Sequence, residues 1–247
     1  KVAGVPPDYF SATGQLWGNP LYNWEQAEKE GFAWWVQRFR RALEFVDYLR
    51  LDHFRGFEAY WELPASARSA GEGRWMKGPG KRFFEALEET LGNLPLVAED
   101  LGFITPEVEN LKHIFQLPGM KVYQFSYNEM FASEEKHVVY YTGTHDNDTL
   151  WSWGWENNFP GIRETSKIEE ITPQEYCASI IEQLYFTPAA WVIVPVQDIL
   201  GLGREARMNV PGTTNGNWEW QLDWKQVTPE VIRWLRQLAL ASGRLKD

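Results

Sequence analysis

Short apolar segments alternate with helix-forming segments along most of this sequence. Five of the apolar segments have the length and composition of buried strands, and they cover 48–52, 96–99, 120–125, 138–142 and 190–196. Strands separated by helices pair in parallel through right-handed crossovers, and apolar strands with little alternation are buried on both faces. The pattern therefore predicts an α/β fold with about five parallel strands and helical crossovers. An open doubly wound sheet and a (β/α)8 barrel both fit.

The segments between the strands carry helix signals. Predicted helices cover 24–46, 81–91, a segment that begins at Thr105, 172–184 and 228–241. Thr followed by Pro is typical of a helix N-terminus, and Thr172 with Glu175 has the spacing of a capping box. Residues 1–23 are rich in Gly and Pro, which predicts a loop.

The acidic charge balance limits the partners of the chain. Its 247 residues include 24 basic and 34 acidic side chains, which gives a formal net charge of −10. A nucleic-acid surface needs clustered Lys and Arg, so we expect no nucleic-acid partner. The longest apolar run, 189–196, is far shorter than the roughly 20 residues that cross a bilayer, so we expect no membrane partner.

The side-chain composition favours a sugar ligand over a metal. The chain has 14 Trp, 10 Tyr and 14 Phe, and flat rings beside polar groups suit sugars, which need both stacking and hydrogen bonds. The single cysteine, Cys177, excludes an internal disulfide and a cysteine-based zinc site. The four histidines form no H-E-x-x-H pair. We therefore expect no metal and no other cofactor.

Three of the predicted strands lead into acidic residues. Asp52 ends the first strand, Glu99 ends the second, and Asp146 follows the strand at 138–142. Carboxylates at buried strand ends cost free energy unless they are paired, so three of them need a reason. In a (β/α)8 barrel the C-terminal strand ends converge on one site, and a pair of carboxyl groups there can cleave a glycosidic bond.

Other interpretations of these acids stay open at this point. Each one can be a helix cap or an ion-pair partner, and three carboxylates together can bind Mg²⁺ or Ca²⁺. No Asp-rich loop has the spacing of an EF-hand, however. A purely structural role for all three acids, at three strand ends, is also less expected than one functional site that they share.

Four stretches of the sequence carry a family resemblance. They are GVPPDYFSATGQLWG at 4–18, RLDHFRGF at 50–57, AEDLG with ITPEV at 98–108, and GTHDNDT at 143–149. Together they resemble the 4-α-glucanotransferases, the amylomaltases and disproportionating enzymes of glycoside hydrolase family 77. The resemblance implies a (β/α)8 TIM barrel. It also implies transfer of α-1,4-glucan segments to glucose or maltooligosaccharide acceptors, by a retaining double displacement, in starch, glycogen and maltose metabolism.

The resemblance further implies roles for single residues. Asp52 matches the family's nucleophile, Glu99 its general acid/base and Asp146 its transition-state stabiliser. The matched substrate-binding residues are Arg50, which orients the nucleophile, His53 and His145 in the donor subsite, Asp8, Tyr9, Phe10, Gln15 and Trp17 in the acceptor-side loop, and Asn215.

These roles require two carboxyl groups in opposite protonation states. Glu99 has to be protonated at neutral pH, so its pKa must be raised by burial or by the nearby charges of Asp52 and Asp100. Asp52 has to stay ionised. Arg50, two residues earlier on the same strand face, favours the charged form of Asp52.

The chain departs from the family in length, because family members are much longer. We therefore expect 1–247 to be a single catalytic-domain fragment, with about barrel strands four to eight, the acceptor-side loop at 4–20, and the N-terminal half of the barrel absent. The expected location is the bacterial cytoplasm or a plastid, which an N-terminal segment would distinguish.

Two other functions share the same residues. An α-amylase-like hydrolase uses water instead of a sugar as the acceptor, and a non-catalytic sugar-binding fragment results if truncation disables the site. The aromatic stretch from Asp8 to Trp17 favours transfer, because a cover over the acceptor site lowers the access of water.

Overall fold

The computed structural model describes residues 1–7, 11–161 and 170–246. The chain divides into two compact units, Lys1–Met120 and Lys121–Asp247. The first unit contains, in chain order, β1 (Val2–Val5), β2 (Gln15–Pro20), α1 (Trp24–Lys29), α2 (Ala33–Leu43), β3 (Leu49–Leu51), α3 (Arg55–Glu58), β4 (Ala59–Leu63), β5 (Arg74–Lys77), α4 (Lys81–Leu91), β6 (Leu96–Ala98) and α5 (Pro106–Ile114). Strand β7 (Gly119–Val122) leads into the second unit, which has α6 (Tyr123–Met130), β8 (Val138–Tyr141), α7 (Leu150–Glu156), α8 (Pro173–Tyr185), β9 (Trp191–Ile193), α9 (Val196–Ile199) and α10 (Pro229–Ala241).

The five predicted strands are present as β3, β6, β7, β8 and β9. In the first unit β3 pairs with β6 in parallel, with Leu49 opposite Leu96 and Leu51 opposite Ala98. In the second unit β8 pairs with β9 in parallel, and β7 lies on the other side of β8. The prediction of parallel strands with helical crossovers is therefore confirmed for these two pairs.

A four-stranded antiparallel sheet in the first unit was not expected. Its strand order is β2-β1-β4-β5, so the prediction of a loop over residues 1–23 is wrong for Val2–Val5 and Gln15–Pro20. A side chain at Gly4 would lie 2.4 Å from the carbonyl oxygen of Gln15. This glycine therefore permits a close approach of two strands rather than a turn.

Two other segment boundaries differ from the sequence-based expectation. The helix predicted over 24–46 is two helices, because Gly31 and Phe32 adopt left-handed backbone angles that end α1 and bury the Phe32 ring. The strand predicted over 120–125 ends at Val122 and continues as α6. The segment is mainly apolar on both sides of this change, so its composition does not mark where the strand ends and the helix begins.

Several helices agree with the sequence signals. Helix α4 covers 81–91 as predicted, and Thr172 and Glu175 form the expected capping box at the start of α8. Helix α7 was missed, since its aromatic sequence LWSWGWE gives no clear helical period.

Each unit has its own apolar core. In the first unit Phe57, Phe83 and Phe84 pack against α2 and β6, and in the second Tyr123, Tyr140 and Ile180 are fully buried. Much of the aromatic content therefore stabilises the fold and is not available to a ligand.

Candidate active site

The parallel pair β3–β6 places two acidic residues side by side. Asp52 directly follows β3, and Glu99 directly follows β6. The ladder continues beyond both strands, because the Glu99 N–H donates to the Leu51 carbonyl at 3.0 Å and the Phe54 N–H donates to the Glu99 carbonyl at 3.0 Å. The register thus fixes the main chain of both acids at the same edge of the sheet.

The Glu99 carboxyl group is half-buried and held by the main chain. The His53 N–H donates to Oε2 at 2.7 Å, and the Leu101 N–H donates to Oε1 at 2.9 Å. Burial raises the pKa of Glu99 to about 7 and is the largest cause, the charge of Asp52 raises it further, and the two N–H groups and Arg50 oppose the shift. A large fraction of Glu99 is therefore protonated at neutral pH, as a general acid requires.

The charge of Asp100 was expected to raise the pKa of Glu99, but it does not contribute. Its carboxylate accepts a hydrogen bond from the Met120 N–H at 2.8 Å and forms an ion pair with Lys112. Its charge is thus compensated locally. Burial and the Asp52 carboxylate account for the raised pKa of Glu99 instead.

Asp52 presents an accessible carboxylate. Its side chain is 76% exposed, and its Oδ1 lies 2.9 Å from Arg50 Nη1. The guanidinium group is itself fixed by a contact of Arg50 Nε with the Met120 sulfur at 3.5 Å. The predicted contact between Arg50 and Asp52 is present, and it orients the carboxylate.

His53 combines a strained backbone with a neutral ring. Its φ is +49°, and burial is the main reason that its pKa falls to about 4, although Asp52 raises it. Within the described part of the chain, His53 Nε2 is buried without a hydrogen-bond partner. A side chain at Gly56 would lie 2.8 Å from the ring nitrogen Nδ1. The His53 ring is therefore neutral and fixed in position next to Asp52.

A cavity of about 640 Å³ opens beside these residues within the first unit. It is lined by Arg50, Asp52 and His53 together with the rings of Trp17, Tyr22, Trp24, Trp35 and Trp61. The Trp17 ring meets the His53 ring edge-on at 4.9 Å, and the Trp17 indole N–H donates to Gln15 at 3.1 Å. The predicted Asp8, Tyr9 and Phe10 lie outside the described residues.

The loop after β8 carries the predicted residues of the second unit. The Asp146 Oδ1 accepts a hydrogen bond from Asn209 Nδ2 at 2.6 Å, and its carbonyl accepts one from Arg207 at 2.8 Å. The His145 ring lies 3.5 Å from Asp146 Oδ2 and 5.3 Å from the centre of the Trp218 ring. Asp146 and His145 are therefore adjacent and partnered by the segment 207–218.

Asn209 and Arg207 were not predicted from the sequence. They lie in an irregular segment with neither a helical nor a strand period, so no local pattern singles them out. The predicted Asn215 is exposed in the same segment. It is Asn209 that contacts Asp146, and substrate contact by Asn215 stays a prediction.

Among the residues that the structure describes, no group of three or more His, Cys, Asp or Glu side chains is arranged to hold a metal ion. The same residues include no helix that is both long and apolar enough to span a membrane.

A comparison with known sequences decides the family. The profile of the 4-alpha-glucanotransferase family, glycoside hydrolase 77, matches residues 1–227. The chain belongs to this family.

Curated 4-alpha-glucanotransferases are similar along almost the whole chain. That of Thermus thermophilus is 46% identical and is matched over 99% of this chain and 52% of its own length. That of Synechocystis is 49% identical over 89% of this chain and 45% of its own length. A chloroplastic/amyloplastic member from Solanum tuberosum is 44% identical over 99% of this chain and 44% of its own. The chain thus spans about half the length of these 4-alpha-glucanotransferases.

Solved structures of family members agree with the fold. An amylomaltase from Streptococcus agalactiae, solved in complex with acarbose, superposes with a TM-score of 0.86 at 32% identity, over 98% of this chain and 50% of that one. The amylomaltase from Corynebacterium glutamicum superposes with a TM-score of 0.77 at 20% identity, over 98% of this chain and 42% of that one. The chain therefore has an α/β fold similar to that of amylomaltase.

Proposed function

We propose that this chain is part of a 4-alpha-glucanotransferase that moves α-1,4-glucan segments onto glucose or maltooligosaccharides. The observation that carries the proposal is the pair at the ends of β3 and β6, an accessible Asp52 carboxylate next to a half-buried Glu99 with a pKa of about 7. Relatives that are named 4-alpha-glucanotransferases, and an acarbose complex of a similar amylomaltase, support the substrate class.

In the first step the two carboxyl groups act together. Protonated Glu99 gives its proton to the glycosidic oxygen, while the Asp52 carboxylate attacks the anomeric carbon. The bond to the leaving sugar breaks, the leaving chain departs as an alcohol, and a covalent glucosyl ester forms on Asp52. Arg50 holds the nucleophile in place, and the neutral His53 ring binds a sugar hydroxyl.

In the second step Glu99 acts as a base. Its carboxylate takes the proton from an acceptor hydroxyl, the acceptor oxygen attacks the anomeric carbon, and the bond to Asp52 breaks. Two inversions give net retention. We assign to Asp146 the stabilisation of positive charge in both transition states, and to His145 a hydrogen bond to the donor sugar.

The place of the chain within a whole enzyme follows from the same proposal. We infer that the five parallel strands are about the fourth to the eighth strand of a (β/α)8 barrel, and that 1–247 is one catalytic-domain portion. The half-length coverage of the relatives supports this assignment. Bacterial and chloroplastic relatives are consistent with a bacterial cytoplasmic or a plastid location.

The product pattern from maltotriose tests the proposed function. A transferase builds a ladder of longer maltooligosaccharides and releases glucose, with little rise in total reducing ends. The full-length protein should be assayed, with the isolated chain alongside. A rise in reducing ends in step with substrate loss, without longer chains, would make it a hydrolase. Binding of maltooligosaccharides by the full-length protein without turnover would make it a sugar-binding protein.

The pH profile depends on the protonated form of Glu99. Because its pKa is about 7, the protonated fraction falls as the pH rises through that value. We expect kcat/KM for maltotriose to decrease above about pH 7, by about tenfold per pH unit. Initial rates across that range measure the effect. A flat profile on the alkaline side would show that Glu99 is not the acid.

Trp17 should help the acceptor sugar compete with water. Its ring lines the cavity beside His53 and offers a stacking surface to an incoming sugar. We expect Trp17→Ala to increase the share of hydrolysis severalfold, measured as reducing ends formed per glucose transferred. Trp224→Ala is the matched control, because Trp224 is exposed and lies outside the cavity. An equal change in both variants would refute a specific role.

The proposed chemistry needs no metal ion, since acid, base and nucleophile are all carboxyl groups. We expect the rate of glucan transfer to be unchanged in excess chelator, as measured before and after dialysis. Loss of activity that Ca²⁺ or Mg²⁺ restores would contradict this expectation.

A further inference from the structure

A buried carboxyl group in the second unit has no role in the steps described so far. Asp198 lies in α9, shortly after β9, and is 1% exposed. Its Oδ2 accepts a hydrogen bond from the Thr142 hydroxyl at 2.6 Å, and its Oδ1 accepts one from the Leu150 N–H at 2.7 Å. Both donors are fully buried.

The two donors lie at the two ends of one loop. Thr142 is the first residue after β8, and Leu150 is the first residue of α7. Between them is the segment 143–149, which carries His145 and Asp146. One carboxyl group therefore ties together the residue before this loop and the residue after it.

The surroundings of Asp198 do not compensate its negative charge, so the stability of the fold alone does not explain this residue. Among the described residues, the titratable groups that interact with it are Asp148 in the loop and Tyr176 and Cys177 on α8, none of which is a cation. Burial raises the pKa of Asp198 to about 6, and Asp148 raises it further. A buried acid without a cationic partner usually destabilises a fold, so its two directed hydrogen bonds are the feature that needs explanation.

The carboxylate of Asp146 depends on the shape of this loop. Gln124 Nε2 donates to the Asp148 carbonyl at 2.8 Å, and Asn147 Oδ1 accepts from the Thr144 N–H at 2.9 Å. Asn209 then contacts the Asp146 carboxylate itself. Gln124 and Asn209 hold the loop from outside and Asn147 from within, whereas Asp198 bonds to the residue before the loop and to the residue after it.

We propose that Asp198 is a positioning residue for the reaction, and that it acts through Asp146 by clamping the two ends of the loop 143–149. The inference rests on the proposed function, because Asp146 is assigned there to stabilise the transition state. A displaced stabiliser costs transition-state stabilisation with little change in the binding of the ground state.

Two substitutions of Asp198 distinguish the effect of its hydrogen bonds from the effect of its charge. Asp198→Ala removes both hydrogen bonds, so we expect kcat to fall by about 10- to 100-fold, with KM nearly unchanged. Asp198→Asn keeps the shape, because its amide oxygen accepts from the Leu150 N–H and its amide NH₂ donates to the Thr142 hydroxyl oxygen. We therefore expect the Asn variant to retain most of the wild-type kcat.

Hydrogen exchange measures the stability of the loop 143–149 independently of activity. Hydrogen exchange of the peptide that contains 143–150, measured in the full-length protein, should be faster in Asp198→Ala and close to wild type in Asp198→Asn. Tyr123→Phe is the matched control, because it removes another hydrogen bond of the second unit, the partly buried one from the Tyr123 hydroxyl to the Pro160 carbonyl at 2.6 Å. This control should lower Tm without changing kcat.

A double-mutant cycle tests whether the effect passes through Asp146. In an Asp146→Ala background, Asp198→Ala should cause no further loss of kcat. Equal losses in both backgrounds would overturn the proposal, as would an active wild-type enzyme in which Asp198→Ala changes neither kcat nor loop exchange. A wild-type protein that transfers no glucan would overturn the proposed function instead, and the exchange experiment would still decide whether the clamp exists.

Discussion

Replacing Glu99 with Gln is expected to lower the turnover of maltotriose by at least about 10²-fold, the usual contribution of general acid catalysis. Gln has nearly the same shape, but it cannot give a proton to the glycosidic oxygen in the first step or accept one in the second. Arg50, Asp52 and His53 are unchanged, so KM should change little. Steady-state transfer rates of the full-length protein measure both quantities.

A donor that needs no acid separates the role of Glu99 from damage to the site. Fluoride leaves without protonation, so Glu99→Gln should still form the ester on Asp52 from α-maltosyl fluoride, and azide should then release it without a base. Gln also loses one of the two main-chain hydrogen bonds, which costs about 1 kcal/mol. A melting curve checks that this loss leaves the protein folded. Near-normal turnover of maltotriose would move the acid role to Asp100 or another residue.

Replacing Asp52 with Asn is expected to have a still larger effect. Without a nucleophile no covalent ester forms, and we expect kcat to fall by about 10⁴-fold or more, as in other enzymes that lose their nucleophile. The amide keeps the size of the carboxyl group, and the exposure of the side chain predicts little loss of stability. Transfer from maltotriose measures the loss.

The fluoride donor gives opposite results for the two variants, which is the sharpest test of the assigned roles. Asp52→Asn should release no fluoride above background and should not respond to azide. The matched control is Asp47→Asn, because Asp47 is an exposed acid just before β3. Rapid fluoride release by Asp52→Asn would show that another group is the nucleophile.

The sequence was most informative where burial and function coincide. The segments around Leu51, Val97 and Val139 are short, apolar and β-branched or Leu-rich, and such segments favour strands that other elements cover. An acidic residue that directly follows such an apolar strand is easy to recognise in the sequence, because a carboxylate at a buried strand end needs a partner or a function. For this reason Asp52, Glu99 and the contact between Arg50 and Asp52 could be predicted from spacing and resemblance.

The sequence was least informative where one residue type serves two purposes. Gly4 signals a turn by composition, but in the structure it permits β1 and β2 to approach closely. Asn209 stands in an irregular segment, and its contact with Asp146 depends on long-range packing that no local pattern encodes. Asp198 follows an apolar strand like the other acids, yet its partners, Thr142 and Leu150, are distant in sequence.

The main-chain hydrogen bonds of Glu99 determine how the operating pH of such an enzyme can be engineered. Both N–H donors belong to the backbone, at His53 and Leu101, so exchanging either side chain for anything but proline leaves them in place. The charges of Asp52 and Arg50 also affect this pKa, but both residues are needed for the proposed reaction, so the cause that stays open to redesign is the desolvation of Glu99. A variant intended for alkaline starch processing would need a drier wall around Glu99, whereas one for acidic conditions would need a wetter one.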